Sequence, residues 1–445
     1  MSRYLNLADR FGSTLHSEED LGRLPADDLN ISREDMEILR SLGKKKHAYA
    51  VLPVMDERRA IWTAANDLRM TRPPVYVDEI CWPEMNWEGE LDLRCTHPFA
   101  RELEDFLIKE LYCYEHGLGD IIIEDYVESP LVVYDSGFGI DEVVDIRRTD
   151  RNSEVVSRHF HILLKDMADV EKIHEPEIIL DMERTRQYTE LMEEIFDGVI
   201  PVRQVGARGL WFTPFDYLIR VLGIQETMVN MVDNPEFVEA VVKRYVDCCM
   251  VRMEKYRELG IWASNNSSCR VGSGGYGLVS CLAPREDAPT HCGTMQMWGC
   301  GNAQIFSEVS PAMHMQFSLQ FEMEWLKQFG LNYYGCCEPL HHKMDLMDQI
   351  PRLRKVSMSP WNKWDVAAER CRGKYVMSCK PNPAVFAVGE FREDLARAEI
   401  EKILRQTEGC SIEIVMKDIS TVDYKPWKLW RWAEIAREVI DGWYK

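Results

Sequence analysis

The stretch LNYYGCCEPLHHK, residues 331–343, sets Cys336, Cys337, Glu338, His341 and His342 directly behind a short strand-like run. Thiolate, imidazole and carboxylate are the donors that bind zinc, and a catalytic zinc keeps three protein ligands and one open position. The same thiols could instead be nucleophiles, or plain buried sulfur, because free cysteine is among the most buried residue types. Further reactive groups end the strand-like runs that follow: Ser359-Pro360-Trp361, Cys379-Lys380 and Lys417-Asp418. Cys379 with Cys336 or Cys337 would supply two sulfurs, and Glu308, Glu338 or a histidine a third ligand. His341 and His342 are less favoured, since they belong to the segment after the strand tip.

These residues need elements to position them. From Ser310-Pro311 a helical pattern runs through Met313, Phe317, Phe321 and Trp325. LNYYG, KVSMS, KYVMSC and SIEIVMK then read as strands, separated by PLHHKMDLMDQIPRL, WDVAAERC and REDLARAEIEKILRQ and followed by WKLWRWAEIAREVID. Alternation of this kind predicts an α/β fold with a parallel sheet, with a closed (β/α)8 TIM barrel as the leading form and an open doubly wound sheet as the second. In such barrels the active site lies at the C-terminal strand ends, so the four reactive strand ends would share one mouth.

Upstream, residues 1–70 are charged and helix-prone, and we expect an N-terminal helical extension followed by the barrel over 71–445. Ser32 is a candidate N-cap, residues 99–117 carry helical periodicity, and a helix is predicted from Asn234-Pro235 to Gly260. The segment SNNSSCRVGSGGYG, 264–277, reads as a loop, either a lid or disorder. THCG and WGCG after it are competing ligand clusters, and His159 and His161 share one face of a candidate strand. The glycines do not form a G-x-G-x-x-G between strand and helix, which argues against a dinucleotide site.

Composition bounds the partners. The 53 Lys and Arg against 74 Asp and Glu give a net charge of -21, which would repel a phosphate backbone and disfavours nucleic acid. No apolar run is long enough to span a membrane, and the N-terminus does not read as a secretory leader, so the expectation is a cytoplasmic protein with no membrane partner. Its 14 cysteines should then be reduced thiols.

GLWFTPFDYLIRVLGIQETMVNMVDNPEFVEAVV, FSEVSPAMHMQFSLQF, YYGCCEPLHHK and KYVMSCKPNPAVF together resemble the uroporphyrinogen decarboxylase superfamily over roughly residues 180–425. The resemblance implies a (β/α)8 barrel. It is to the divergent branch similar to zinc-dependent corrinoid methyltransferases, because the arginine-rich signature of true decarboxylases has no counterpart here; the nearest tract is RRAIWTAANDLRMTRPPV. That branch carries a His-x-Cys pair and a later Cys. Cys336 matches the cysteine of the pair, Cys379 the region of the later one, and Tyr334 stands where the histidine would be.

What the resemblance implies is a methyltransferase that moves a methyl group from a small methylated donor, such as a methoxylated aromatic, to a corrinoid (cobalamin) held by a partner protein. Zn2+ would be held by ligands from Glu308, Cys336, Cys337 and Cys379. By their strand-end positions, rather than by the resemblance, Trp298, Tyr334 and Trp361 would form the donor pocket, and Glu338, Lys380, Lys417 or Asp418 would orient the donor or move protons. A metal-free decarboxylase or a tetrapyrrole- or corrinoid-binding barrel is the alternative, and a homodimer stays open.

Overall fold

A computed structural model of the chain describes residues 29–147, 157–282 and 292–445. Six strands form one parallel sheet in the spatial order Val75–Val77, Ile412–Met416, Val376–Cys379, Leu353–Met358, Leu331–Tyr334 and Trp298–Gly301. Nearly every residue in them is buried, as expected when helices cover the outer face of a parallel sheet. A second parallel pair, Val127–Pro130 with Val202–Val205, forms a separate two-stranded sheet. Isolated bridges join Ala207 to Trp262 and Tyr76 to Gly119. The fold is therefore α/β with a parallel central sheet, while the expected closed eight-strand ring is not drawn as a continuous ladder among the described residues.

The helices obey the sequence signals in most places. Ser32 caps Arg33–Ala50 by accepting the Asp35 N–H, and Pro98–Glu115 and Pro235–Glu258 fill the segments expected to be helical. The stretch after the thiols is the exception: PLHHKMDLMDQIPRL keeps only one turn of helix, Met344–Met347. The helix Val54–Asn66 packs against the body of the fold. Trp62 on the helix Val54–Asn66 is fully buried and donates its indole N–H to the Asp120 carbonyl at 3.0 Å.

The glycine-rich segment 264–277 is neither lid nor disorder; nearly all of it is buried. It is a plug inside the sheet. Ser273 Oγ lies 2.9 Å from Tyr333 OH and donates to the Gly335 carbonyl at 3.2 Å, and Gly275 N–H donates to Glu413 Oε1 at 3.0 Å. Glycine is required where it passes closest: Gly272 has φ of +57°, and a Cβ there would collide with the Tyr333 ring. Residues 290 and 291 of THCG lie outside the described residues.

Candidate active site

Side chains alternate along a strand, so every second residue of these strands faces inward. On Ile412–Met416 the inward residue is Glu413, which pairs with Lys355 at 2.7 Å, both fully buried. Two steps of two further on, Lys417 is delivered to the C-terminal mouth by the same alternation. On Leu331–Tyr334 the inward residue is Tyr333, and the chain then turns at Gly335, φ +99°, to present Cys336 and Cys337.

At the mouth the two sulfurs are 3.6 Å apart. Lys417 Nζ lies 3.8 Å from Cys336 Sγ, 3.0 Å from Asp418 Oδ1 and 3.2 Å from Glu79 Oε2. Cys337 Sγ is 3.6 Å from Asp418 Oδ2. Glu79 in turn pairs with Arg270 at 3.0 Å, and Arg270 holds Asp78 at 2.6 Å. Glu338 folds back so that its Oε2 accepts the Cys336 N–H at 2.8 Å. Below, Lys380 Nζ donates to Tyr333 OH at 3.0 Å and Ser357 Oγ at 2.7 Å, and Ser357 donates to the Cys336 carbonyl at 2.5 Å.

This arrangement sets the charges. The hydrogen bond from Cys337, with the Lys417 and Lys380 ammonium groups, brings the Cys336 pKa down to about 6 despite burial. Cys337 moves the opposite way, pushed up by donating to Cys336, by burial and by the Cys336 charge. The pair therefore divides into one thiolate and one thiol near neutral pH. Burial and the Cys336 charge raise Glu338 to about 7, and burial with Cys336 and Glu338 raises Asp216 to about 8. Burial opposes the Lys417 charge, but Cys336, Glu79 and Asp418 hold it firmly protonated.

A cavity of about 500 Å³ opens beside this cluster. Its wall includes Tyr76, Asp78, Glu79, Arg208, Arg270 and Tyr276, so Glu79 and Arg270 belong to both cavity and thiol cluster. A pocket of this size takes a small organic molecule.

The structure gathers Cys336, Cys337, Glu338, Lys380 and Asp418 and disperses the rest. Cys379 is fully buried on the outward face of its strand, because Ser378 is the residue near the inward Lys380 ammonium; its charged and thiol neighbours include Cys371 and Cys410. Glu308 is exposed near His342 and Lys343. Among the described residues no group of three or more Cys, His, Asp and Glu side chains is placed to hold a metal ion. The expected zinc set of Glu308, Cys336, Cys337 and Cys379 thus does not fit.

The expected aromatic pocket does not assemble either. Tyr334 faces outward, donating to Glu322 at 2.6 Å, with His314 Nε2 2.9 Å from its hydroxyl. Trp298 is buried against the glycine plug, its indole donating to the Gly277 carbonyl at 2.8 Å. Trp361 is 70% exposed. Tyr76, Tyr126 and Tyr276 line the cavity instead. Glu79, Arg270 and Asp216 lie outside the sequence expectations; Glu79 stands two residues past the end of the strand Val75–Val77, a strand-end position like the others, whereas nothing local marks Arg270 or Asp216.

No protein-family model matches the chain, and no curated protein does. Among solved structures it is similar to a methyltransferase from Methanosarcina mazei, with a TM-score of 0.48 and 12% identity over 87% of this chain and 99% of that chain. No helix of the described residues is long and apolar enough to cross a membrane.

Proposed function

We propose that the chain is a methyltransferase acting on a small methylated donor, with the Cys336 thiolate as the group that takes the methyl. The observation that carries this reading is the Cys336 sulfur held 3.8 Å from the Lys417 ammonium at the strand-end mouth, beside a ligand-sized cavity. An ionised thiol is the strongest nucleophile among the side chains gathered here. In the first step the sulfur lone pair forms an S–C bond to the methyl carbon while the bond from methyl to the donor's oxygen breaks with its electron pair. Glu338, a carboxyl half-protonated near neutral pH, supplies the proton that the departing oxygen takes. In the second step an acceptor's electron pair takes the methyl and the S–C pair returns to Cys336. The acceptor in this reading is the corrinoid of a separate protein, whose cobalt supplies the methyl-accepting centre when that protein docks.

The test is to incubate the chain with methoxylated aromatics carrying an isotopically labelled methyl and to map the label by peptide mass spectrometry. Label on Cys336, absent in Cys336→Ser and discharged by a reduced corrinoid, is the expected result. Donor consumption with Cys336 unlabelled would remove the thiolate from the reaction. A second reading, decarboxylation without a metal, draws on one feature: Arg208 and Arg270 both stand on the cavity wall, where a substrate carboxylate would share guanidinium groups that also pair with Glu128 and with Asp78 and Glu79. Release of carbon dioxide from a carboxylated aromatic, without methyl transfer, would select it.

A further inference from the structure

The ligands expected for zinc are dispersed, yet the thiol pair is not without a cation. We propose that Lys417 occupies the place of the metal: its ammonium, rather than a divalent ion, is the positive charge against which the Cys336 sulfur is held. This rests on reading Cys336 as the reacting sulfur, but its test reads metal content and does not depend on methyl transfer.

Three observations support it. An ammonium has three N–H bonds, and Lys417 has three acceptors around it, Cys336 Sγ at 3.8 Å, Asp418 Oδ1 at 3.0 Å and Glu79 Oε2 at 3.2 Å. A zinc ion bound to these same donors would stand at about 2.0–2.3 Å from each, inside the space that the lysine head now fills. Lys417 is also only 2% exposed and directly continues the strand Ile412–Met416, so it cannot swing into solvent to make room. Finally, the two carboxylate residues that clasp it, Glu79 and Asp418, both hold left-handed backbone, φ +48° and +57°. Non-glycine residues adopt that conformation at a cost, and here it turns both side chains onto one ammonium.

Lys417 is thus a positioning residue with an electrostatic task. It aims and steadies the sulfur as a Lewis acid would, but it offers no open coordination position. A donor is then recognised by the cavity wall and not by binding to a metal.

The experiment uses the full chain, equilibrated with zinc under reducing conditions and dialysed, with metal measured by elemental analysis. Unaltered protein should retain no stoichiometric zinc. Lys417→Cys, which removes the ammonium and adds a thiolate, should gain roughly one zinc per chain, and Lys417→Cys combined with Cys336→Ser should lose it again. Stoichiometric zinc in the unaltered chain, released by Cys336→Ser, overturns the proposal, as does failure of folded Lys417→Cys to gain metal. Near-ultraviolet circular dichroism establishes folding. As a second readout, iodoacetamide should alkylate Cys336 at least tenfold more slowly in Lys417→Met, with the rate restored in Lys417→Arg; an unchanged rate in Lys417→Met also overturns it.

Discussion

Tyr334 donates its phenolic O–H to Glu322 at 2.6 Å on the outer side of the sheet, while the preceding residue, Tyr333, faces the inner side, where Lys380 donates to it. Two adjacent tyrosines therefore look in opposite directions, and the outward one holds a buried carboxyl. Burial raises Glu322 to about 8 from an ordinary 4.5, against the hydrogen bonds from Tyr334 and Ser318. The folded chain thus keeps a proton that the unfolded chain sheds.

Stability should consequently fall as pH rises through the window from about 4.5 to about 8 and level off above it. The full loss attributable to Glu322 is on the order of 5 kcal/mol. Thermal denaturation of the unaltered chain and Glu322→Gln across that range checks it. The neutral amide should flatten the slope; parallel curves would mean that Glu322 is ionised in the folded state.

The divided thiol pair predicts selective chemistry. Cys336, with a pKa of about 6, should reach half its maximal alkylation rate near pH 6, while Cys337 stays unreacted until well above neutrality. Replacing the donor thiol in Cys337→Ala should move the Cys336 midpoint upward, since the largest influence lowering it is gone. Fragment-ion mass spectrometry separates the two adjacent sites. Modification of Cys337 ahead of Cys336 would reverse the assignment of thiolate and thiol.

On the inner face of the sheet, Lys355 and Glu413 form a fully buried ion pair at 2.7 Å. Removing one partner leaves an uncompensated charge, so Lys355→Met should cost about 3–5 kcal/mol in urea denaturation. Lys355→Met with Glu413→Leu should recover part of that loss. Recovery stays partial because Gly275 N–H, which donates to Glu413 at 3.0 Å, is then left without its acceptor. An additive double variant would show the two side chains uncoupled.

Much of this architecture was legible because buried parallel strands write themselves as short apolar runs. LNYY, KVSM, YVMSC and IEIVM were all recognised, and with them the mouth that gathers Cys336, Lys380, Lys417 and Asp418. What failed was parity. Counting strand ends placed Cys379 and Tyr334 at the mouth, but the two-residue alternation turns both outward, and only the inward contacts of Ser378 and Tyr333 reveal which phase is real. The glycine plug was misread for a different reason. Its glycines are needed for close approach to Tyr333 and to Trp62, which lie far away in sequence, and a glycine-rich segment alone looks the same whether it is mobile or tightly enclosed. Glu79 and Lys417 likewise meet only through folding, since the first strand lies beside the last.

The outward face of Cys379 yields a direct check. As a fully buried sulfur near Cys371 and Cys410, it contributes to core contacts and not to the thiol cluster. Cys379→Ala should therefore cost about 1–2 kcal/mol through the small cavity it leaves. Labelling of Cys336 by a methyl donor and its alkylation midpoint should both stay as in the unaltered chain, because the helices outside the sheet can settle without moving Gly335 or Lys417. The discriminating control is Cys336→Ser, which should abolish labelling in a chain whose near-ultraviolet circular dichroism shows it folded. If Cys379→Ala instead removes labelling in a folded chain, the sulfur serves the mouth and the inward phase of its strand has been misassigned.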